Sequence, residues 1–187
     1  MKVQTTPIPG LLIIQPNVFG DSRGYFFEAY NESVYREAGI SQKFIQDNVS
    51  LSCKNTIRGL HYQLAPFAQA KLVQVLKGRV LDVAVDLRQN SPTYGQHYAV
   101  ELSDENHLQY FIPRGFAHGF SVLSDEATFH YKCDNPYNKE SERGLNFNDP
   151  TLHIDWKVPV EKIIMSPKDE VLPAFNEADM NFFFAED

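Results

Sequence analysis

The stretch KLVQVLKGRVLDVAVDLR, residues 71–88, decides the fold. Valine, leucine and isosteric residues fill both halves, and Lys77-Gly78 sits between them where a two-residue hairpin turn is expected. The register follows. If Leu76 faces Arg79, then Val73 faces Asp82 and Lys71 faces Ala84. Lys71, Val73, Val75, Val80, Asp82 and Ala84 then share one face, with Lys71 and Asp82 as diagonal neighbours. The opposite face, Leu72, Gln74, Leu76, Leu81, Val83, Val85 and Leu87, is the more apolar. The expected sheet therefore has one packed face and one face of isolated charges, and a lone Lys-Asp pair there is ordinarily just solvated.

Outward from this stretch, similar runs recur between about residues 57 and 147: HYAVELS, LQYFIP, HGFSVLS and ATFHYKC. Short strands at this spacing predict a β-sandwich or small barrel. Helical signal is sparse. NESVYREAG offers Asn31 as N-cap and Gly39 as stop, and DEVLPAFNEAD allows a short piece interrupted by Pro173. The 187 residues, 43% of them hydrophobic, suffice for one domain with a sizeable core. No repeat or linker divides them.

Cys53 and Cys133 are too few for a disulfide framework and lack C-x-x-C spacing, so reduced thiols are expected. No run of eighteen apolar residues occurs, and MKVQTTPIPG does not read as a signal peptide, so a cytoplasmic location and no membrane partner are expected. A net charge of -7 argues against nucleic acid as a partner. A small anionic ligand needs a local cationic pocket instead, which makes converging arginines and lysines informative.

IPRGFAHGF contains P-x-G-x-x-H as Pro113, Gly115 and His118, and this resembles the second motif of the cupin superfamily of small β-barrels. At the positions of the first motif stand His61, Gln63 and, in place of the glutamate ligand, Lys71, six residues before Gly78. Replacing a carboxylate by an ammonium removes a metal donor and adds repulsion, so no metal is expected. Lys71 can supply positive charge to an oxyanion instead.

FGDSRGYFFE (19–28), QDNVSLS (46–52), RGLHYQ (58–63), the 71–88 stretch, SPTYG (91–95), IPRGFAHGF (112–120), YKCDNPY (131–137), Asp149-Pro150 and SPKD (166–169) together resemble the dTDP-4-dehydrorhamnose 3,5-epimerase family, in its order and over nearly the whole chain. The resemblance implies an all-β, cupin-type jelly-roll barrel or sandwich with a few short helices. It implies a single domain spanning 1–187, with an N-terminal arm (about 1–50) and a C-terminal tail (about 165–187) packed on the barrel or on a partner subunit. It also implies a homodimer with exchanged N-terminal strands, no cofactor, and a dTDP-sugar substrate in dTDP-L-rhamnose biosynthesis.

The implied reaction inverts carbons 3 and 5 of a 4-keto-6-deoxyhexose. The ketone acidifies both neighbouring C–H bonds, so the site needs a base, a stabiliser for the enolate oxygen and a proton donor across the ring. Histidine suits the first role because its ordinary pKa is about 6.5. By resemblance the base is His61, oriented by Asp169, the donor is Tyr131, and Lys71 stabilises the enolate. Arg23 and Arg58 suit the diphosphate, since guanidinium groups bind phosphate in bidentate fashion. Glu28, Gln46, Asn48, His118, Glu142 and Lys168 fall on substrate-contact positions, Tyr137 stacks on the base or lines the pocket, and Phe19 and Phe26 shape and support the site. On its own, the shared face of Gln46, Asn48, Ser50 and Ser52 reads as solvent-facing.

Other readings stay open on residues alone: a single-carbon epimerase, a non-catalytic nucleotide-sugar-binding cupin, or a metal-dependent cupin. LLII (11–14) fits an interface or an internal core, and the phenylalanines of MNFFFAED pack on their own barrel or on a partner. TIRGLHYQLAP (56–66) poses a geometric conflict. Strict alternation puts Arg58 and His61 on opposite faces, so irregular backbone near Gly59 is expected if both serve one cavity.

Overall fold

A computed structural model describes residues 1–185. Along these residues run β1 (Lys2–Thr5), β2 (Leu12–Gln15), β3 (Phe19–Asp21), β4 (Gly24–Phe26), α1 (Glu32–Glu37), β5 (Gln46–Cys53), β6 (Ile57–Gln63), β7 (Lys71–Lys77), β8 (Arg79–Asp86), β9 (His97–Ser103), β10 (Gln109–Ile112), β11 (Phe116–Val122), β12 (Glu126–Cys133), β13 (Glu142–Gly144) and α2 (Pro167–Glu170). One sheet has the order β1-β2-β10-β7-β12-β5, a second β13-β6-β11-β8-β9, and β3-β4 form a separate hairpin. The two large sheets face each other as an all-β sandwich of the jelly-roll kind. The last two residues of the expected C-terminal tail lie outside the described residues.

The Lys77-Gly78 turn does not make a hairpin ladder. β7 pairs with β10 and β12, whereas β8 pairs with β11 and β9, so the chain crosses from one sheet to the other at Gly78. Gly78 has φ +81°, and a Cβ there would lie 2.1 Å from the Glu126 carbonyl oxygen. The corner is tied down by bonds from the Gly78 amide to Asp104 (3.0 Å) and the Arg79 amide to Ser124 (2.8 Å). The expected pairings Leu76–Arg79, Val73–Asp82 and Lys71–Ala84 are therefore absent.

The expected faces survive in altered form. Val73, Val75, Val80 and Ala84 meet between the sheets, with Phe120 and Phe129. The alternate residues divide between two outer layers: Leu72 packs under α1 with Tyr35 and Ile40, and Leu81, Val83, Val85 and Leu87 pack under the C-terminal segment with Trp156 and Phe175. Both faces of this stretch are thus largely covered, with Leu76 of the expected packed face left exposed near the Gly78 corner, and no face of isolated charges results. Burying the apolar surface on three levels is what holds the chain together.

Asn31 caps α1 by accepting from the Ser33 and Val34 amides, and Gly39 follows the helix with φ +91°. At the other end, Ser166 caps α2 by accepting from the Asp169 amide, with Pro167 in the first turn. That short turn matters because it carries Asp169 to the mouth of the sandwich. In β5 the alternation runs against the solvent-facing reading of Gln46, Asn48, Ser50 and Ser52: these turn inward, while Val49 and Leu51 are each 62% exposed. Cys53 and Cys133 are both free.

Candidate active site

A cavity opens at one end of the sandwich in two lobes. The larger, of about 620 Å³, is lined by Arg58, Ser52, His118, Phe120, Phe129 and Lys168 among others. The smaller, of about 370 Å³, is lined by Gln46, Gln63, Gln69, Cys133, Tyr137 and Glu142 among others. Asn48, His61, Lys71 and Tyr131 line both, so these four stand where the lobes meet.

The conflict within TIRGLHYQLAP is resolved by a bulge. His118 pairs with His61 while Phe120 pairs with Arg58, so Gly59 and Leu60 together oppose the single residue Gly119. Gly59 has φ +121°, and a Cβ on it would lie 2.5 Å from Gly119 Cα. Only glycine fits a strand crossing that close. The extra residue changes the facing parity, and Arg58 and His61 both reach the larger lobe.

His61 Nε2 lies 2.7 Å from Asp169 Oδ1. Burial opposes ionisation of Asp169, but the hydrogen bonds from His61 and Ser166 outweigh it and hold the carboxyl below its usual range. A charged carboxylate on one ring nitrogen fixes the tautomer and leaves the other nitrogen, Nδ1, as the acceptor. The Lys71 ammonium lies 5.8 Å from the centre of the Tyr131 ring. Burial pushes Lys71 down, opposed by Cys133, Asp82 and Glu142. Burial pushes the Tyr131 phenol up, so it keeps its proton at neutral pH.

Arg58 donates from Nε to Ser52 Oγ at 2.9 Å, which leaves most of its guanidinium fork free for an anion. Gln46 donates to Asn48 at 3.0 Å. Burial opposes ionisation of Glu142, yet bonds from Lys168 (2.5 Å) and Tyr137 (2.9 Å) hold it below its usual value. At the position of a metal ligand in other cupins, Gln63 donates to the Phe67 and Pro136 carbonyls and accepts from the Asn138 amide, clamping the loop that bears Tyr137.

Two expected contacts are not assembled within this chain. Arg23 sits at the β3-β4 turn, 88% exposed and bonded to Asp21, and Glu28 accepts from Asn31. Neither lines the cavity, and Phe19 and Phe26 stand exposed on the same hairpin. Their hairpin pairs with neither large sheet, and Phe19 and Phe26 line neither lobe of this chain's own cavity. Conversely, the sequence reading gave no role to Asp82, which is wholly buried beneath the cavity and takes His118 Nε2 on both carboxylate oxygens at 3.0 Å. Its signal was the alternation that put it on the face of Lys71.

The dTDP-4-dehydrorhamnose 3,5-epimerase family model matches residues 5–177. A Shigella flexneri protein of that name is 52% identical over 96% of this chain and 98% of its own. The crystal structure of a Legionella pneumophila 3,5-epimerase in complex with dTDP-4-keto-L-rhamnose superposes with a TM-score of 0.94 at 47% identity, covering 98% of this chain and 99% of that one. A Streptomyces bikiniensis 3′-monoepimerase variant in complex with dTDP gives a TM-score of 0.84 at 30% identity, covering 91% and 85%.

Proposed function

The chain belongs to the dTDP-4-dehydrorhamnose 3,5-epimerase family, and from that premise we propose how its cavity works. The protein is an isomerase that converts dTDP-4-dehydro-6-deoxy-D-glucose to dTDP-4-dehydro-L-rhamnose. One observation carries the mechanistic reading: the His61–Asp169 pair, Lys71 and Tyr131 meet at the junction of the two lobes.

His61 Nδ1 takes a proton from the carbon beside the ketone, and the C–H electrons move into the C–C bond as the carbonyl oxygen becomes an enolate. Asp169 stabilises the imidazolium that forms, and the Lys71 ammonium stabilises the enolate oxygen. Tyr131 returns a proton from the other face of the ring, and solvent restores the phenol and removes the His61 proton. The same cycle at the second neighbouring carbon completes both inversions. Every proton removed is matched by one returned, so the chemistry needs no redox cofactor and no metal. Arg58 holds the diphosphate, His118 and Asn48 contact the sugar, and Gln46, Glu142, Lys168 and Tyr137 form the wall toward the base.

Arg23 and Glu28 enter this reading through a homodimer, as contributions to the partner subunit's site. The exposed apolar strip of Val49 and Leu51 beside the cavity, and the β3-β4 hairpin with Phe19 and Phe26 exposed on it, support such an exchange. We read the whole chain as one domain with an arm and a tail. Its nucleotide-sugar chemistry and free thiols support a cytoplasmic location, and among the described residues no helix is long and apolar enough to cross a membrane.

Incubating the protein with dTDP-4-keto-6-deoxyglucose in heavy water tests the activity. Deuterium at both carbon 3 and carbon 5 is expected. Label at a single carbon would make the protein a monoepimerase, and no label would refute the assignment. A Tyr131→Phe variant that forms epimerised product at the parental rate would remove Tyr131 from the mechanism.

A further inference from the structure

Tyr137 and Glu142 stand on one wall of the smaller lobe, and the backbone that bears Tyr137 is fastened to both sheets. The Tyr137 amide donates to Gln46 Oε1 at 3.3 Å, from β5, and the next amide, of Asn138, donates to Gln63 Oε1 at 2.7 Å, from β6. Gln63 also grips the neighbouring carbonyls: its Nε2 donates to Pro136 at 3.2 Å and to Phe67 at 2.7 Å. A primary amide has two N–H donors. Both are engaged and the residue is 5% exposed, so Gln63 borders the lobe with no donor left to offer a ligand.

The backbone of Gln63 fixes the far end of the same segment. It pairs with Glu142 in the β6–β13 ladder, and the Tyr137 hydroxyl closes the loop by donating to Glu142 Oε2 at 2.9 Å. Two more carboxamides lace the flank. Asn135 donates to the Pro66 and Ala68 carbonyls at 3.0 and 3.2 Å, and Gln69 donates to the Asn135 carbonyl at 2.7 Å. Tyr137 itself is 56% exposed, so its place is set by the backbone it hangs from rather than by packing. A loop held this way loses little freedom when a ligand arrives.

We propose that Gln63 is a positioning residue for substrate binding: through Pro136 and Asn138 it holds the Tyr137 ring in place for the nucleotide, and it takes no part in the proton transfers. This rests on the reading of Tyr137 as part of the wall toward the base.

Calorimetric binding of dTDP, together with steady-state kinetics, tests the proposal in wild type, Gln63→Leu, Tyr137→Ala and the double variant. Gln63→Leu keeps the bulk of the side chain and removes its three bonds. The Kd of dTDP is expected to rise about tenfold in Gln63→Leu. KM should rise with it while kcat stays within about twofold. In the double variant Kd should match that of Tyr137→Ala alone, because the clamp then has no ring left to position. An unchanged Kd in Gln63→Leu, a fall in kcat at constant KM, or additive effects in the double variant would overturn the proposal and leave the reading of Tyr137 standing. An unchanged Kd in Tyr137→Ala would refute that reading, and the proposal with it. If Gln63→Leu does not fold, hydrogen exchange of the wild-type Asn138 amide decides. Protection of about a hundredfold or more without dTDP is expected of a wall set before binding. An amide that exchanges freely until dTDP is added would overturn the proposal.

Discussion

Two histidine–carboxylate pairs stand about one cavity, and they differ in what surrounds them. His61 and Asp169 touch at 2.7 Å, and the His61 side chain is 33% exposed to the cavity. His118 and Asp82 touch at 3.0 Å, with the side chains 7% and 0% exposed. Asp169 comes from the short helix α2, 108 residues away from its histidine, whereas Asp82 comes from the strand beside β11. The same chemical pair is therefore put to two uses. Where water and substrate reach the ring, the proton on it can be exchanged. Where the ring is almost wholly buried and both carboxylate oxygens hold it, the pair is built to fix a tautomer.

The sharpest way to break this comparison is to disable the pair that the cavity exposes. His61→Ala should lower kcat by about three orders of magnitude and abolish deuterium exchange at both carbons, because general-base catalysis contributes roughly that much. Stopped assays of product and of label incorporation would measure it, and parental exchange would end the distinction between the pairs. Asp169→Asn should follow at about a hundredfold loss in kcat, since the amide removes the charge that stabilises the imidazolium while keeping the shape. A loss confined to KM would instead make Asp169 a binding residue.

Gly59 joins the two regions, for its bulge lets His61 pair with His118 while Arg58 still reaches the cavity. Gly59→Ala must place a methyl group 2.5 Å from Gly119 Cα and 2.8 Å from the His118 carbonyl oxygen, at φ +121°. Backbone atoms on a neighbouring strand cannot swing aside, so a loss of about 3 kcal/mol is expected by urea unfolding. A variant as stable as the parent would show that the sheets tolerate a different register here.

The contrast also explains what could be read from the sequence. Strand identity was legible because alternation is local, and so was α1, through Asn31 and Gly39; the Ser166-capped turn of α2 was not, for the expected helical piece lay in DEVLPAFNEAD. Even the need for a break at Gly59 followed from the parity of Arg58 and His61. The route of the chain at Gly78 was not legible. A Lys-Gly turn looks alike whether it returns within a sheet or crosses to the facing one, and the deciding atoms belong to Asp104, Ser124 and Glu126. Asp169 came only through resemblance, since no local spacing links it to His61. Arg23 and Glu28 came the same way, and the single chain does not carry them to its own cavity.

The smallest expected effect separates the pairs by pH. Asp169 has its native pKa lowered, so its contribution to stability is fully present above the unfolded value of 3.8 and is lost as pH falls through the native value. His118 is also lowered, but it is a base, so the native state binds fewer protons than the unfolded chain below the unfolded value of 6.5. Its stabilising effect is complete above about pH 6.5 and declines as pH falls toward the native value, with a slope of at most about 1.4 kcal/mol per pH unit. His97 and His130 are lowered as well, so wild-type unfolding alone does not isolate the effect. The difference between wild type and His118→Gln does, because only the ring at 118 is removed. Urea midpoints measured from pH 7 to pH 5 should fall more steeply in wild type than in the variant. Parallel curves would mean that His118 takes up its proton in the folded protein as readily as in the unfolded chain, and burial of the ring would then not set its protonation.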